Sequence, residues 1–213
     1  MFTGLIEEVG KVVSIRPIAG GKKLKISANT VLENSKVDDS IAVNGVCLTV
    51  TEIDKNAFWA DTVGETLNKT TLKNITVNAN VNLERALRLS DRLGGHLVLG
   101  HVNGIGTITN ITKLGDNYDL EIDVPSHLDK YLIDEGSITI DGISLTIAKV
   151  NYNKINISVI PHTWQKTVLM TKQTGSTVNL ETDVLAKYIE KLISANKPED
   201  QKFSAEWFNK LGY

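Results

Sequence analysis

The chain has 213 residues, of which 41% are hydrophobic and 23% charged, with a formal net charge of −2. That balance gives no electrostatic reason to expect a nucleic acid or an acidic membrane as partner, and a single cysteine excludes an intrachain disulfide and any multi-cysteine metal site. No apolar run approaches the roughly 20 residues that span a bilayer. The start, Met1-Phe2-Thr3-Gly4-Leu5-Ile6-Glu7-Glu8, lacks the basic-then-apolar pattern of a secretory signal, so the expected location is the cytoplasm.

Val, Ile and Thr account for 60 residues, and such side chains suit a pleated, half-buried surface better than a helix. Short strands are expected, separated by turn residues at Ala19-Gly20-Gly21, Asn44-Gly45, Leu114-Gly115-Asp116-Asn117 and Asp141-Gly142. Period-two alternation is visible in Ile138, Ile140, Leu145 and Ile147 around one Gly, and again in Ile155, Ile157 and Val159. Beyond residue 183 the period changes. Val184, Leu185, Tyr188, Ile189, Leu192 and Ile193 follow helical spacing, with Lys187, Glu190 and Lys191 on the other face and Asn196-Lys197-Pro198 as the stop. That apolar stripe either docks on its own domain or packs against copies of itself. Phe203, Trp207, Phe208 and Leu211 offer a second short helix.

The chain repeats itself. Ser40-Ile-Ala-Val-Asn-Gly-Val-Cys-Leu-Thr-Val50 aligns with Ser137-Ile-Thr-Ile-Asp-Gly-Ile-Ser-Leu-Thr-Ile147 at an offset of 97 residues. Glu65 to Leu72 aligns with His162 to Leu169, and Val81-Asn-Leu-Glu84 with Val178-Asn-Leu-Glu181, at that same offset of 97. Gly4 to Gly10 matches Gly100 to Gly106 at offset 96. Four collinear blocks define two homologous domains, residues 1–95 and 96–185, followed by a helix and tail at 186–213. Six antiparallel strands in under about 100 residues imply a small closed barrel, which leaves no exposed edge.

Candidate chemistry lies where the copies carry polar groups. Asn44 and Asp141, each before a Gly, suit a tight turn. Cys47 and Ser144 are nucleophile-capable, although a lone Cys in a β-rich chain is commonly an apolar filler. The segment Gly94-Gly95-His96-Leu-Val-Leu-Gly100-His101-Val-Asn-Gly104-Ile-Gly106 carries two of the four histidines. Its glycines permit close backbone approach, and imidazole can take a proton from carbon near neutral pH. Two His at this spacing with one distant Cys fit no common zinc pattern. Gly104-x-Gly106 lacks the rest of a dinucleotide fingerprint. No phosphate-binding lysine loop appears. His127 beside Asp129 reads as solvated.

Met1-Phe-Thr-Gly4, Asn44-Gly-Val-Cys-Leu-Thr-Val50, Gly94-Gly-His-Leu-Val-Leu-Gly-His101, Asp141-Gly-Ile-Ser-Leu-Thr-Ile147 and the duplication together resemble riboflavin synthase, the α-type chain, over essentially the whole sequence. The resemblance implies a mostly β fold, two tandem six-stranded Greek-key barrels plus a C-terminal helix that assembles a homotrimer. It implies conversion of two molecules of 6,7-dimethyl-8-ribityllumazine into riboflavin and 5-amino-6-ribitylaminouracil, by passage of a four-carbon unit, with no cofactor or metal. The site would form between the N-terminal barrel of one subunit and the C-terminal barrel of its neighbour, with lumazine synthase as a possible further partner.

The same resemblance supplies candidate residues. His101 would be a base or proton shuttle for loss of a proton from the C7 methyl. Cys47, Ser40, Ser144 and Asp141 fall among the candidate catalytic groups, with roles left open. Thr49 and Thr146 would bond the pteridine edges, flanked by Leu48 and Leu145. Thr66 and Thr163 would hold ring and ribityl chain. The backbone of Asp61, Thr62, Val63, Gly64 and Glu65, and that of Ser158, Val159, Ile160, Pro161 and His162, would assist them. Gly100 and Val102 accompany His101, while Gly4, Leu5 and Ile6 would belong to the wall of the N-terminal barrel. Family members commonly carry Lys before the Gly that opens the second motif strand, and here Glu135 precedes Gly136. Two other readings stand beside the enzyme: a non-catalytic lumazine or flavin carrier, and a β-barrel interaction module without a small ligand.

Overall fold

The computed structural model describes residues 1–195. The first half holds β1 (Glu8–Ile18), β2 (Gly21–Ser27), β3 (Ser40–Val43), β4 (Val46–Asp54), β5 (Ala57–Val63), α1 (Gly64–Lys69) and β6 (Asn80–Arg85). The second repeats it with β7 (Gly104–Leu114), β8 (Asn117–Asp123), β9 (Ser137–Ile140), β10 (Ile143–Asn151), β11 (Lys154–Val159), α2 (Pro161–Lys166) and β12 (Thr177–Thr182), then adds α3 (Val184–Ala195). Each set closes into an antiparallel barrel with the same circular order, β1-β2-β5-β4-β3-β6 and β7-β8-β11-β10-β9-β12.

Alternation decides what each barrel buries. Along β4, Val46, Leu48 and Val50 face inward, while Cys47 is half-buried and Thr49 exposed. Along β9 and β10, Ile138, Ile140, Ile143 and Ile147 enter the second core. Each fully buried aliphatic side chain contributes roughly 1.5–3 kcal/mol. The Asn44-Gly45 and Asp141-Gly142 turns both hold positive φ at their two central residues, 46° and 75° in one, 46° and 82° in the other. This is the hairpin geometry for which Asn-Gly and Asp-Gly are selected.

These two turns meet back to back. A Cβ on Gly45 would lie 2.7 Å from Gly142 N, and one on Gly142 would lie 2.7 Å from Gly45 N. Reciprocal bonds lock the seam. Asn82 Nδ2 donates to Asp141 O at 2.9 Å, and Asn179 Nδ2 donates to Asn44 O at 2.8 Å. Val168 N donates to Asn82 Oδ1 and Thr71 N to Asn179 Oδ1, both at 2.8 Å. Asp141 is fully buried here, accepting from Asn179 N at 2.8 Å and paired with Lys172 Nζ at 2.7 Å. Its carboxylate is therefore a seam group with no face open to a substrate, which corrects its reading as catalytic.

The chain also exchanges its connecting segments. Phe2 bridges Val98, with Phe2 N donating to Val98 O at 2.7 Å and Val98 N to Phe2 O at 3.1 Å. The N-terminal segment thus crosses onto the second barrel, and the inter-barrel segment crosses onto the first. Ser144 N donates to Gly4 O at 2.8 Å, and Cys47 N donates to Gly100 O at 2.9 Å. Ile6 packs on the second core and Val102 on the first. Gly4 and Ile6 accordingly belong to the second barrel rather than to the first, a correction that local sequence could not foresee. A buried carboxylate pins each crossing. Glu84 accepts from Thr3 N at 2.6 Å and Gly4 N at 3.0 Å, and Glu181 accepts from Leu99 N at 2.8 Å and Gly100 N at 3.0 Å. Burial pushes both carboxyls above the ordinary range, against the lowering effect of these bonds.

Helix α3 begins where the periodicity places it. It is tethered to the second barrel by polar contacts, Lys187 Nζ to Asn103 Oδ1 at 2.6 Å and Glu190 to Lys130 and Tyr131. Its stripe of Leu185, Tyr188, Ile189, Leu192 and Ile193 stays exposed, so among the described residues it does not dock on its own barrel. The expected stop at Asn196-Lys197-Pro198 and the second short helix with Phe203, Trp207, Phe208 and Leu211 lie outside the described residues.

Candidate functional site

Each barrel is half-open at one place. β4 and β5 are paired from Asp54↔Ala57 only as far as Val50↔Ala60, although β4 starts at Val46 and β5 runs to Val63. β10 and β11 stop likewise at Ile147↔Ile157, leaving Ile143 to Thr146 and Ser158 to Val159 apart. A register shift next to each last pair, at Val50/Glu52 and Ile147/Lys149, begins the separation; such bulges bend a strand and increase its local twist. The crossing segments line the freed edges, Gly100 beside Cys47 and Gly4 beside Ser144. Neither glycine can be replaced easily. Both hold φ of 77°, and a Cβ on either would sit 2.6 Å from the Cβ of Cys47 or Ser144.

The first opening gathers Cys47 and Thr49 on the outer face of β4, Ser40 opposite Thr49 across β3, Gly100 and Val102 alongside, and the Asp61–Thr66 run that ends β5 and starts α1. The second gathers Ser144 and Thr146, Gly4 and Ile6, and the Ser158–Thr163 run into α2. Pro161 stands at the first turn of α2, where its missing N–H costs nothing. Thr66 O and Thr163 O accept from Thr70 Oγ1 at 2.7 Å and Thr167 Oγ1 at 2.8 Å, so both runs are closed the same way.

Not every candidate side chain reaches these openings. Leu48 and Val159 point into the cores and Leu145 packs against one, because successive residues alternate across a strand. Thr62 is buried and donates Oγ1 to Lys22 O at 2.9 Å. Leu48, Val159 and Thr62 therefore offer backbone only, while Leu145 is part-buried. Leu5 turns away from the second barrel into a polar cavity of about 530 Å³ that also holds Ser40, Arg85, Arg88 and Arg92. His101 is the repeat counterpart of Leu5 at offset 96, and it is exposed. Glu135 lies on an exposed turn at φ 64°, its N–H on Ile147 O at 2.8 Å. His162 is exposed on α2.

The two openings differ in chemistry. Cys47 packs on a small apolar cluster of Phe2, Ala42 and Val98. Ser144 Oγ stands 2.8 Å from His96 Nδ1. His96 was one of the two histidines of the Gly94–Gly106 candidate segment, but the sequence assigned it no place in the site. A Cβ on Gly95 would lie 2.1 Å from Thr3 O and 2.9 Å from Ser144 Cβ, so that glycine is what lets the histidine come alongside. The identical Val-Asn-Leu-Glu blocks likewise contained the seam asparagines and both clamping carboxylates. Among the described residues no group of three or more His, Cys, Asp or Glu is placed to hold a metal ion, and no helix is long and apolar enough to cross a membrane.

Two barrels of one design, each half-open beside the same motif strand, define a tandem-barrel protein with one opening repeated. The lumazine binding domain family matches residues 3–86 and again 99–183. Riboflavin synthase of Actinobacillus pleuropneumoniae is 44% identical over 216 residues, covering 100% of both chains. That of Bacillus subtilis (strain 168) is 44% identical over 205 residues, covering 95% of this chain and 94% of the relative. Among solved structures, LumP complexed with riboflavin superposes with a TM-score of 0.80 at 29% identity, covering 85% of this chain and 99% of that one. LumP complexed with 6,7-dimethyl-8-(1'-D-ribityl) lumazine gives 0.78 at 28% identity with the same coverage. The chain belongs to the riboflavin synthase family of lumazine-binding-domain proteins.

Proposed function

We propose that the protein is a riboflavin synthase, a transferase that converts two molecules of 6,7-dimethyl-8-ribityllumazine into riboflavin and 5-amino-6-ribitylaminouracil. The observation that carries this reading is the pair of openings at Cys47/Thr49 and Ser144/Thr146, equivalent in backbone and unequal in chemistry. A reaction between two identical heterocycles needs two related cups and unequal roles. Holding both reactants in one orientation can supply about 7–11 kcal/mol of the barrier.

On this reading residues 1–95 and 96–185 are the two lumazine-binding units and 186–213 the oligomerisation element. Thr49 and Thr146 bond the ring edges. Asp61 to Thr66 and Ser158 to Thr163 hold ring and ribityl chain. His101 shuttles protons. Glu135 replaces a lysine near the second unit, which removes a cation from that region. The exposed stripe of α3 supports a homotrimer, in which the first unit of one subunit faces the second unit of its neighbour. The setting is the cytoplasm, with lumazine synthase as companion.

The experiment is direct. Purified protein is mixed with the lumazine in chelator-treated buffer and riboflavin is followed by absorbance. Riboflavin formation above the protein-free blank supports the synthase. Tight binding with altered fluorescence and no riboflavin assigns the chain to the carrier class.

A further inference from the structure

We propose that His96 is the proton partner of Ser144, and that the second opening is therefore where the C7 methyl of one lumazine loses its proton. The inference rests on the synthase reading above and assigns the two half-sites their roles.

The geometry is built from three elements. Ser144 lies on the outer row of β10 with Thr146, beside the unpaired end of β11. His96 lies on the crossing segment, its N–H on Thr3 O at 3.2 Å and its Nδ1 at 2.8 Å from Ser144 Oγ. Gly95 removes the side chain that would hold the two apart. Among the described residues no histidine bonds Cys47, the repeat counterpart of Ser144, whose neighbours are apolar. One half-site thus has a hydroxyl coupled to a base, and the other an uncoupled thiol.

The surroundings favour the neutral form of His96. Burial lowers its pKa below the ordinary imidazole value, partly offset by the Asp183 carboxylate between β12 and α3. From the same side, Glu181 on β12 holds the Leu99 and Gly100 amides of His96's own segment. Lys187 on α3 faces Glu181 and Asp183 electrostatically. A neutral imidazole can accept from a hydroxyl, and an imidazolium cannot.

The step balances without a further reactant. The methyl C–H breaks and its proton passes to Ser144 Oγ. The Oγ–H proton passes in turn to His96 Nδ1, which leaves an imidazolium and a lumazine carbanion. The imidazolium then returns its proton to water. His96 acts through Ser144 and is a positioning residue and proton store.

The test follows exchange of the C7 methyl protons with deuterated water by proton NMR, alongside turnover. His96→Asn keeps an amide near the place of Nδ1 but cannot take up a proton. Its exchange rate and kcat should fall by about 100-fold or more with KM little changed, the usual cost of losing a general base. The acid limb of the wild-type kcat profile should lie below the ordinary imidazole range and vanish in the variant. The double variant with Ser144→Ala should be no slower than the slower single, since residues acting as one unit are not additive. Exchange in His96→Asn near the wild-type rate, or an unchanged acid limb, overturns the inference. Circular dichroism and lumazine fluorescence titration check folding, and if His96→Asn does not fold, Ser144→Ala reads the same acid limb. Wild-type exchange without riboflavin would sink the synthase reading and leave the pair standing; riboflavin with exchange untouched by His96→Asn would sink the pair alone.

Discussion

Cys47 and Ser144 are held in the same way by opposite ends of one exchange. The amide of Cys47 donates to Gly100 O at 2.9 Å, and that of Ser144 to Gly4 O at 2.8 Å. Each barrel's site is thus finished by a segment from outside its own run of strands, and neither barrel completes its wall alone. The consequences are measurable.

Gly4→Ala and Gly100→Ala force a Cβ into left-handed backbone and against the Cβ of Ser144 or Cys47. Strain of this kind costs about 1–3 kcal/mol before the clash is counted. Both variants should show a lowered urea midpoint, and each should weaken lumazine binding. A wild-type midpoint for either would contradict the crossing.

Asp141→Asn should cost about 1–3 kcal/mol, since it leaves Lys172 without its buried partner. The first copy already carries the neutral solution, Asn44 for Asp141 and Ile75 for Lys172 at offset 97. Adding Lys172→Ile should therefore recover part of the loss. Turnover per folded molecule should stay at the wild-type value in both variants, measured as kcat beside the unfolding curve; a large fall in kcat with unchanged stability would restore a catalytic role to Asp141.

His101→Ala should leave fold and lumazine affinity intact, because the side chain is exposed and its main chain supplies the contact, His101 O accepting from Asn103 Nδ2 at 2.9 Å. Turnover should slow by about 100-fold, the lower range for a lost proton-transfer group. Normal turnover by the folded variant would remove His101 from the chemistry.

Stability should also depend on pH through His96. Its folded pKa lies below the unfolded value, so the unfolded chain binds the proton more readily. The contribution is full above the unfolded imidazole value, about 6.5, and is lost as pH falls toward the lowered folded value. Urea midpoints taken from pH 7.5 downward should fall more steeply for wild type than for His96→Gln. Parallel curves would show that burial of His96 carries no such penalty.

How much of this could be read in advance depended on whether the information was local. The barrels were legible because the strands repeat at a constant offset, and because Val46, Leu48 and Val50 alternate with Cys47 and Thr49. The Asn-Gly and Asp-Gly turns were legible from φ preference alone. What surrounds an outward residue was not legible. Asp141 and Cys47 share the motif strand's environment in sequence, yet one is sealed by Gly45 and Asn179 and the other rests half-buried on Phe2 and Val98. The crossing of residues 1–6 depends on contacts more than 80 residues away, such as Thr3 to Glu84 at a separation of 81, which no periodicity encodes. His96 was hidden for the same reason, since its partner Ser144 is 48 residues along the chain.

The central claim is that two lumazines react together in one molecule of this protein's assembly. The most direct measurement quantifies all three species in a single reaction, by chromatography of timed samples. Two lumazines consumed for each riboflavin and each 5-amino-6-ribitylaminouracil formed is the predicted result. Riboflavin formed one-for-one with lumazine, or lumazine bound and recovered unchanged, would contradict it.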